Sequence, residues 1–493
     1  MKHIYKIIVT LVIFAGLASC DDYLDVNKDP GNPELADLTP NDILSAAEST
    51  LGSLYTTRMN QLGNLMAVAW SANFSDFADP YGDEFRYNLT SEFYDDIWDN
   101  IYSRTNNLTF IENFQDGNNW DNHRAIAKIL KAFYLQYIVD LYGRAPYSEI
   151  HKGTQNLFPK YDDQQSIYRA LVDVLDEAVV LIDNAPSTAQ GFVGSEVIFD
   201  GDMEAWKRFA NTIKLRLLVR QTELATTDGA VNTYITSEFN ELQNSGAQFL
   251  TTNAGLNPGY LNSDDKQNPF YARFGYNAVG NVTNGFRSTG PSAYSFNFLQ
   301  NTNDPRINRM WQPNSRGGFS GTLQAASGGR PASFGPAFIE RGVANKNVYL
   351  MLASESYFLQ AEAVQRGYLT GSAQDLFNSG INASFEYLGI PDDANAYITS
   401  ITSTPNVGWT GNLIESIITQ KYIALTSTSG IELWIEYNRT GFPDDLPLPN
   451  GSAAANIPVR LIYPASEYSG NTNNVPVLTG ADAFTAKVFW DVN

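Results

Sequence analysis

The chain is long, acidic and rich in aromatic side chains. It has 493 residues, of which 43% are hydrophobic and 13% aromatic, and its formal net charge is −21 at pH 7. This length suits two or three domains, or one large helical domain. The excess of negative charge argues against binding to nucleic acid and against charge-driven binding to anionic lipid, because both surfaces are themselves negative.

Few side chains suit nucleophilic catalysis or zinc binding. The chain has one cysteine and three histidines, and no sequence such as Gly-x-Ser-x-Gly accompanies His123 or His151. The sequence therefore predicts no metal ligands and no cofactor, and it leaves open whether a calcium ion binds. The many aromatic rings suit contact with the C–H faces of sugars, although they suit a helical core equally well.

The first 40 residues are interpreted as a targeting segment and a tether. An apolar run at 7–17 follows two lysines and is too short to cross a bilayer of about 30 Å. The residues Leu-Ala-Ser-Cys at 17–20 resemble the lipobox of bacterial lipoproteins, in which the cysteine sulfur carries the lipid. We therefore predict a signal peptide at 1–19, acylation of Cys20 and a lipid-anchored tether at 20–40. The alternative is an ordinary signal peptide with an incidental cysteine.

Residues 41–252 are predicted to form the first part of a helical scaffold. Apolar side chains recur there at three- and four-residue steps, and aspartates stand at the expected starts of helices. Between the first two helices, the aromatic segment 74–88 contains proline and glycine and is predicted to be an exposed loop. The predicted helices are 42–73, 91–114, 120–142, 162–182, 202–220 and 230–242.

Residues 253–347 differ in composition from the rest of the chain. They are rich in glycine, asparagine, serine, proline and aromatic residues, and they show little helical periodicity. Because a structureless loop of about 90 residues is uncommon inside a domain, we predict an irregular, ligand-facing subdomain with short helices such as 293–299. Binding residues often lie on loops that a rigid scaffold supports.

Residues 348–493 are predicted to form the second part of the scaffold, with an extended segment at the end. The predicted helices are 348–367, 372–388, 392–400, 412–425 and 430–437, and a proline- and asparagine-rich stretch follows them. Pairs of helices joined by short turns suggest stacked helix-turn-helix units, although no strict repeat of about 34 residues is present.

Several segments, taken in order, resemble the SusD/RagB family of bacterial surface lipoproteins. The likeness extends over nearly the whole chain and is weakest in 253–347. The segments that carry it are CDDYLDVNKDPGNP at 20–33, FANTIKLRLLVR at 209–220, ESYFLQAEAVQRG at 355–367, ITQKYIAL at 418–425, GIELWIEYNRTGFP at 430–443 and IPVRLIYPASEYSGNTNN at 457–474.

The resemblance implies a fold, a location and partners. It implies a mostly α fold, in which a tetratricopeptide-like scaffold of helix pairs supports a loop-rich irregular subdomain. It also implies a non-catalytic, lipid-anchored protein on the outer face of the outer membrane. Such a protein binds an oligosaccharide or polysaccharide and delivers it to a SusC-like TonB-dependent transporter for uptake. Some members of the family take peptides or other cargo, so the ligand class stays open.

The late motifs of the family carry residues that we interpret as part of the core. The charged ones are predicted to form buried ion pairs, because a buried charge requires a partner. The basic helix at 202–220 could supply some of these partners, and Trp98 is also predicted to be buried. The late-motif residues are Glu355, Glu362, Lys421, Glu432, Trp434 and Arg439.

Aromatic residues in loops, with polar neighbours, are the candidates for ligand binding. For each of them, packing within the irregular subdomain is the alternative. Trp311 is the first choice, and we expect Trp311→Ala to lose glycan affinity while keeping the fold. The aromatic candidates are Trp311, Tyr276, Tyr81, Phe77, Phe286 and Phe319, and the polar candidates are Asp79, Asn277, Asn284, Arg287 and Arg316.

Two other functions are compatible with the sequence. A surface glycoside hydrolase needs two carboxyl groups about 5–9 Å apart in a cleft, and the 53 acidic residues of the chain could supply such a pair. A purely structural partner without a ligand would instead bury the aromatic residues of 253–347.

Overall fold

The computed structural model describes residues 38–493. The predicted signal peptide, the acylation site at Cys20 and almost all of the predicted tether lie outside these residues. Within 38–493, no helix has both the length and the apolar content needed to cross a membrane.

Helices make up most of the described chain up to residue 252, and two of them begin at the predicted aspartates. The Asp163 side chain accepts a hydrogen bond of 3.1 Å from the backbone N–H of Ser166, which caps the first turn of its helix. The Asp202 side chain caps the next helix in the same way. The helices are α1 (Pro40–Leu54), α2 (Asn60–Met66), α3 (Gly82–Arg86), α4 (Asp95–Asn113), α5 (Asp121–Tyr142), α6 (Gln164–Asn184), α7 (Met203–Arg220), α8 (Thr222–Ala225) and α9 (Gly229–Asn244).

The helix predicted at 42–73 ends earlier than expected. A π-helical turn at Tyr55–Met59 separates α1 from α2, and strand β1 (Trp70–Ala72) follows α2. Val68 has a φ of 55°, which a right-handed helix does not accommodate. The apolar residues beyond α2 continue at helical spacing, but they pair with a distant strand and do not form a further helical turn.

Residues 253–347 contain short helices, as predicted, and also short strands. The predicted helix 293–299 is present within α12. The strands were not predicted, because each has only two or three residues and carries no alternating pattern. The elements are β2 (Ala254–Leu256), α10 (Pro269–Phe274), α11 (Asn284–Ser288), β3 (Thr289–Pro291), α12 (Ala293–Asn301), α13 (Ile307–Met310), β4 (Trp311–Gln312) and β5 (Ser333–Phe334).

The last part of the chain begins with a strand where a helix was predicted. The first four residues of 348–367 form β6, which pairs with β2, and the helix begins only at Ala353. The other predicted helices are present within a few residues of their expected bounds. The elements are β6 (Val348–Met351), α14 (Ala353–Gln365), α15 (Ala373–Tyr387), α16 (Ala394–Ile401), α17 (Leu413–Leu425), α18 (Gly430–Thr440) and α19 (Ala465–Gly470).

Within residues 38–493, three two-stranded antiparallel sheets connect the elements. They pair β1 with β3, β2 with β6 and β4 with β5. Trp70 lies opposite Pro291 in the first sheet, and Trp311 lies opposite Phe334 in the third. Because β1 follows α2 and β3 belongs to the irregular region, the first sheet places the loop after β1 beside the loop that precedes β3.

The scaffold helices pack largely in sequence order. Helix α4 packs on α5, α5 on α6, α6 on α7, and α14 on α15. This arrangement agrees with the helix-pair scaffold that the resemblance implies. Helices α2 and α18 contact each other at two glycines. A Cβ atom on Gly63 would lie only 2.1 Å from the backbone oxygen of Gly430, so this position has no room for a side chain.

Helix α7 carries two buried arginines that meet carboxylates from three other helices. The Arg216 guanidinium lies 2.7 Å from Glu355, and the Arg220 guanidinium lies 2.7 Å from Glu432 and 2.8 Å from Asp140. All five side chains are fully buried. The prediction that the basic helix pairs with buried acidic residues of the late motifs is therefore confirmed.

A second group of buried charges lies next to the first. Arg439 lies 2.7 Å from Glu362 and 2.6 Å from Glu436, and the Lys421 ammonium lies 3.5 Å from Glu436. Trp98 and Trp434 are buried as well, as predicted. We call the two charged groups together the ion-pair core, which consists of Asp140, Arg216, Arg220, Glu355, Glu362, Lys421, Glu432, Glu436 and Arg439.

Candidate ligand-binding cleft

Three loops from distant parts of the sequence meet at one surface of the molecule. The first loop, 73–81, follows β1. The second, 275–288, precedes β3 and includes the short helix α11. The third, 313–332, joins β4 to β5. Pairing of β1 with β3 brings the first two loops together. The Ser75 hydroxyl in the first loop donates a hydrogen bond of 2.8 Å to the backbone oxygen of Gly328 in the third. These contacts leave a cleft between the loops.

The cleft has a volume of about 380 Å³, which is in the usual range for sites that bind small ligands. We call it the arginine cleft, because three arginines line it. Three of the predicted ligand-binding residues, Phe286, Arg287 and Arg316, are part of its lining. The lining residues are Asn73, Asp76, Val282, Phe286, Arg287, Thr289, Asn314, Ser315, Arg316, Arg330, Pro331 and Ser333.

A buried asparagine shapes one wall of the cleft. The Asn73 side-chain oxygen accepts hydrogen bonds of 3.1 Å and 3.2 Å from the backbone N–H groups of Ser75 and Asp76. Its amide donates to the Asp76 carboxylate at 3.1 Å and to the backbone oxygen of Arg287 at 3.0 Å. Asparagine suits such a turn because its side chain mimics a backbone amide. Asn73 thus holds Asp76 and Arg287 near each other.

A second asparagine shapes the opposite wall. The Asn314 side-chain oxygen accepts hydrogen bonds of 3.0 Å and 3.1 Å from the backbone N–H groups of Arg316 and Gly318. Its amide donates to the backbone oxygen of Pro331 at 3.0 Å. This turn directs the Arg316 side chain, which is 72% exposed, towards solvent.

The charges that line the cleft do not balance. Asp76 is the one carboxylate among the lining residues that the structure describes; Arg330 forms a close ion pair with it, and a guanidinium nitrogen of Arg316 lies 3.7 Å away. Hydrogen bonds from Asn73 and Arg330 lower the pKa of Asp76, so that this carboxyl group is ionised at neutral pH. The third arginine, Arg287, has no carboxylate at ion-pairing distance within residues 38–493.

One half-buried aromatic ring, that of Phe286, lines the cleft, and two others lie next to lining residues. The rings of Tyr276 and Phe286 are 5.4 Å apart, and the Phe77 ring lies 5.7 Å from the guanidinium carbon of Arg287. Each of these side chains is partly exposed. A partly exposed ring beside hydrogen-bonding groups can stack on the C–H face of a sugar while its neighbours bind the hydroxyl groups.

Trp311 cannot serve as a stacking platform in this structure. Its side chain is only 1% exposed, and its ring lies 5.5 Å from that of Phe334, the residue opposite it in the sheet of β4 and β5. A sugar has no access to a ring that is covered on both faces. The structure therefore gives Trp311 the packed position that was the alternative for it, because a long-range strand pairing that leaves no mark on the local sequence buries this residue.

Three other predicted residues hold the loops through contacts within the protein. The Tyr81 hydroxyl forms a hydrogen bond with the Thr289 hydroxyl, which joins the first loop to β3. Asp79 forms an exposed ion pair of 2.9 Å with Arg86. The half-buried Phe319 ring packs 4.9 Å from a ring of α12. A role for these residues in ligand binding stays a prediction.

The two remaining polar candidates are exposed on the second loop. The Asn277 side-chain oxygen accepts a hydrogen bond of 2.9 Å from the backbone N–H of Asn281, which closes a turn next to Tyr276. Asn284 is the first residue of α11, two positions before Phe286. Both amides lie close in sequence to the half-buried rings, and their contact with a ligand also stays a prediction.

Sequence reasoning missed four residues that organise the cleft: Asn73, Asp76, Asn314 and Arg330. A local signal existed for the first two, because Asn-x-x-Asp in a loop is typical of an asparagine-capped turn. No local signal existed for the pair of Asp76 and Arg330, which are 254 positions apart in the chain.

A cluster of three carboxylates on the scaffold has the composition of a metal site. Oxygen atoms of Asp176, Glu238 and Glu241 lie within 4.8 Å of one another. The Lys214 ammonium lies 2.7 Å from Asp176 and 2.9 Å from Glu238, so that a protein cation already pairs with two of the three carboxylates. We interpret it as an ion-pair network of the scaffold.

Comparison with known proteins gives a family and a fold. A family model of the SusD-like type, described as "Starch-binding associating with outer membrane", matches residues 33–464. No curated protein matches the chain significantly.

Solved structures of SusD homologues match nearly the whole chain. One from Parabacteroides distasonis has a TM-score of 0.76 at 20% identity and covers 92% of this chain and 98% of its own. A chitin-binding SusD homologue from Flavobacterium johnsoniae has a TM-score of 0.72 at 24% identity, with coverage of 92% and 97%. One from Bacteroides fragilis has a TM-score of 0.71 at 19% identity, with coverage of 89% and 95%. At these identities the likeness shows the fold.

The match of the family model covers most of the chain, and the helical scaffold with its irregular region agrees with the solved homologues. The description of the family is that of a binding protein associated with the outer membrane. The resemblance stated from the sequence is thereby confirmed: this chain belongs to the SusD-like family.

Proposed function

We propose that this protein is a lipid-anchored protein on the outer face of the outer membrane that binds an oligosaccharide or polysaccharide at the arginine cleft. It delivers the glycan to a SusC-like TonB-dependent transporter for uptake. In this proposal the protein is not an enzyme, and the transporter performs the import step.

One observation carries the binding part of the proposal. The half-buried ring of Phe286 lines, together with guanidinium and amide groups, a cleft that is large enough for a sugar residue; the Phe77 ring lies next to Arg287 and the Tyr276 ring next to Phe286. Rings bind the apolar faces of a sugar and the polar side chains bind its hydroxyl groups, so that both kinds of contact are available at one place.

The comparisons support a glycan as the ligand class. The family description names starch, and one of the structural relatives is a chitin-binding protein. The lining residues of the cleft also favour binding over hydrolysis, because a hydrolase needs two carboxyl groups. Asp76 supplies the only carboxylate among the described lining residues, and the adjacent arginines hold it in ion pairs.

The experiment is a calorimetric titration of the full-length mature protein in detergent with a panel of glycans that includes maltodextrins and chitooligosaccharides. For a glycan that binds, we expect Phe77→Ala and Phe286→Ala each to weaken binding by about tenfold or more, because a stacked ring is lost. The control is Phe158→Ala, which removes a 62% exposed phenylalanine from a loop outside the cleft lining.

Three outcomes would contradict the proposal. If no glycan binds, or if Phe158→Ala weakens binding as much as the cleft variants do, the assignment of glycan binding to this cleft is wrong. Release of reducing sugar during incubation with the wild-type protein would instead indicate a hydrolase.

The lipid anchor requires a separate test. Cys20→Ser removes the sulfur that would be acylated, so that we expect the protein to leave the membrane fraction and to appear in the soluble fraction. If the variant remains in the membrane fraction, acylation of Cys20 is not the anchor.

A further inference from the structure

We infer that the glycan bound at the arginine cleft is anionic, with carboxylate or sulfate groups that the guanidinium groups of Arg287 and Arg316 bind. This inference rests on the proposed function, since it specifies the chemical class of the ligand at the same site. A neutral glycan would bind through hydrogen bonds to its hydroxyl groups and through ring stacking, without using the charge of the arginines.

The balance of charge in the cleft is the first argument. Arg287, Arg316 and Arg330 line it, and Asp76 is the only acidic side chain among the lining residues that the structure describes. The close ion pair with Arg330 already neutralises Asp76. Two positive groups are therefore in excess, in a protein whose overall formal charge is −21. Excess positive charge in the cleft of an otherwise acidic protein favours the binding of an anion there.

The exposure of the two remaining arginines is the second argument. The Arg316 side chain is 72% exposed and reaches Asp76 only at 3.7 Å, and Arg287 is exposed without a carboxylate partner in the part of the chain that the structure describes. In the ion-pair core, by contrast, the buried arginines are matched by carboxylates at 2.6–2.8 Å. The cleft arginines are thus available to a group from outside the chain.

The position of Arg287 relative to an aromatic ring is the third argument. Its guanidinium carbon lies 5.7 Å from the centre of the Phe77 ring, and Phe286 is its neighbour in sequence. In an acidic sugar, the charged group projects from the edge of a ring whose faces carry C–H bonds. The Arg287 guanidinium lies over the Phe77 ring, so it can bind the charge with two parallel hydrogen bonds while the neighbouring Phe286 ring, which lines the cleft, stacks on the sugar.

The test compares three polysaccharide fragments of similar length: a polygalacturonate, a sulfated galactan and the same galactan without sulfate. Each is titrated into the full-length mature protein in detergent by calorimetry at low and at high salt. We expect at least one anionic fragment to bind about tenfold or more tightly than the neutral galactan, with an advantage that shrinks at high salt because salt screens exposed charges. Preference for polygalacturonate would identify the carboxylate, and preference for the sulfated galactan the sulfate ester.

Substitutions assign the effect to the cleft. We expect Arg287→Gln and Arg316→Gln each to lose most of the preference for the anionic fragment while the melting temperature stays unchanged. The matched control is Arg169→Gln, since Arg169 is also an exposed arginine that lies over an aromatic ring, 4.8 Å from that of Tyr234, but on the scaffold helix α6.

The outcomes separate this inference from the proposed function. If the neutral galactan or another neutral glycan binds as tightly as the anionic fragments, or if both cleft variants keep the preference, the inference is wrong and glycan binding stands. If neither neutral nor anionic glycans bind at all, the proposed function itself is wrong.

Discussion

The ion-pair core and the arginine cleft use the same side chain in opposite ways. In the ion-pair core, Arg220 lies between two carboxylates of the protein, and its guanidinium is fully buried. In the arginine cleft, two of the three arginines lie near the one described carboxylate, Arg287 has none at ion-pairing distance, and Arg316 is largely exposed. A buried arginine must find its counter-charge within the chain, because an unpaired charge in the interior is very costly. An exposed arginine can instead pair with a negatively charged group of a ligand.

The largest expected effect comes from breaking the ion-pair core. Arg220→Leu leaves the buried carboxylates of Asp140 and Glu432 without their closest cation, so we expect the free energy of unfolding to fall by about 5 kcal/mol. Chemical denaturation followed by circular dichroism measures this loss. The paired variant is Arg316→Leu in the cleft, for which we expect no measurable change in stability. Equal losses in the two variants would remove the distinction between the two regions.

A somewhat smaller effect is expected from a residue behind the cleft. Trp311→Ala opens a cavity beside Phe334 and should lower the free energy of unfolding by about 3–4 kcal/mol. Because the Trp311 ring is covered, the fraction of protein that remains folded should bind the glycan with unchanged affinity. A stable variant with weak binding would reverse this assignment and restore Trp311 as a ligand contact.

The smallest effect is a dependence on pH that resides in the scaffold. Burial lowers the pKa of His123 from 6.5 to about 4. Below pH 6.5 the unfolded chain therefore binds this proton before the folded chain does, and the free energy of unfolding falls until the pH reaches about 4. We expect His123→Gln to reduce this fall by about 2–3 kcal/mol, as measured by denaturation at pH 7 and pH 4.

A built-in reference exists for that measurement. Burial also lowers the pKa of His151 to about 4, and His151 is unchanged in the variant. Part of the loss of stability in acid should therefore persist in His123→Gln. If the variant and the wild-type protein lose stability in parallel, His123 is not the group that titrates in this range.

The sequence predicted the ion-pair core better than the cleft. The basic residues of α7 and the acidic residues of the late motifs lie on helices with clear periodicity, and burial then requires that they pair. The helix starts at Asp163 and Asp202 were equally predictable from the sequence, because a capping aspartate acts within a few residues of its own position.

The cleft could be predicted only in part, because its geometry depends on contacts between distant residues. The loops and the residues Phe286, Arg287 and Arg316 were identified from composition. The burial of Trp311 depends on Phe334, and the neutralisation of Asp76 depends on Arg330, and neither contact follows from local pattern. An aromatic residue in an irregular stretch is therefore weak evidence of an exposed platform.

The short sheets that hold the cleft loops allow the loop sequences to change during evolution while the fold is kept. Strands β1, β3, β4 and β5 have two or three residues each and pair through backbone groups, so they fix where the loops begin and end without prescribing the residues between. A duplicated copy could exchange one loop for another of different length and keep the scaffold unchanged. Such a copy would acquire a different ligand preference without having to evolve a new fold.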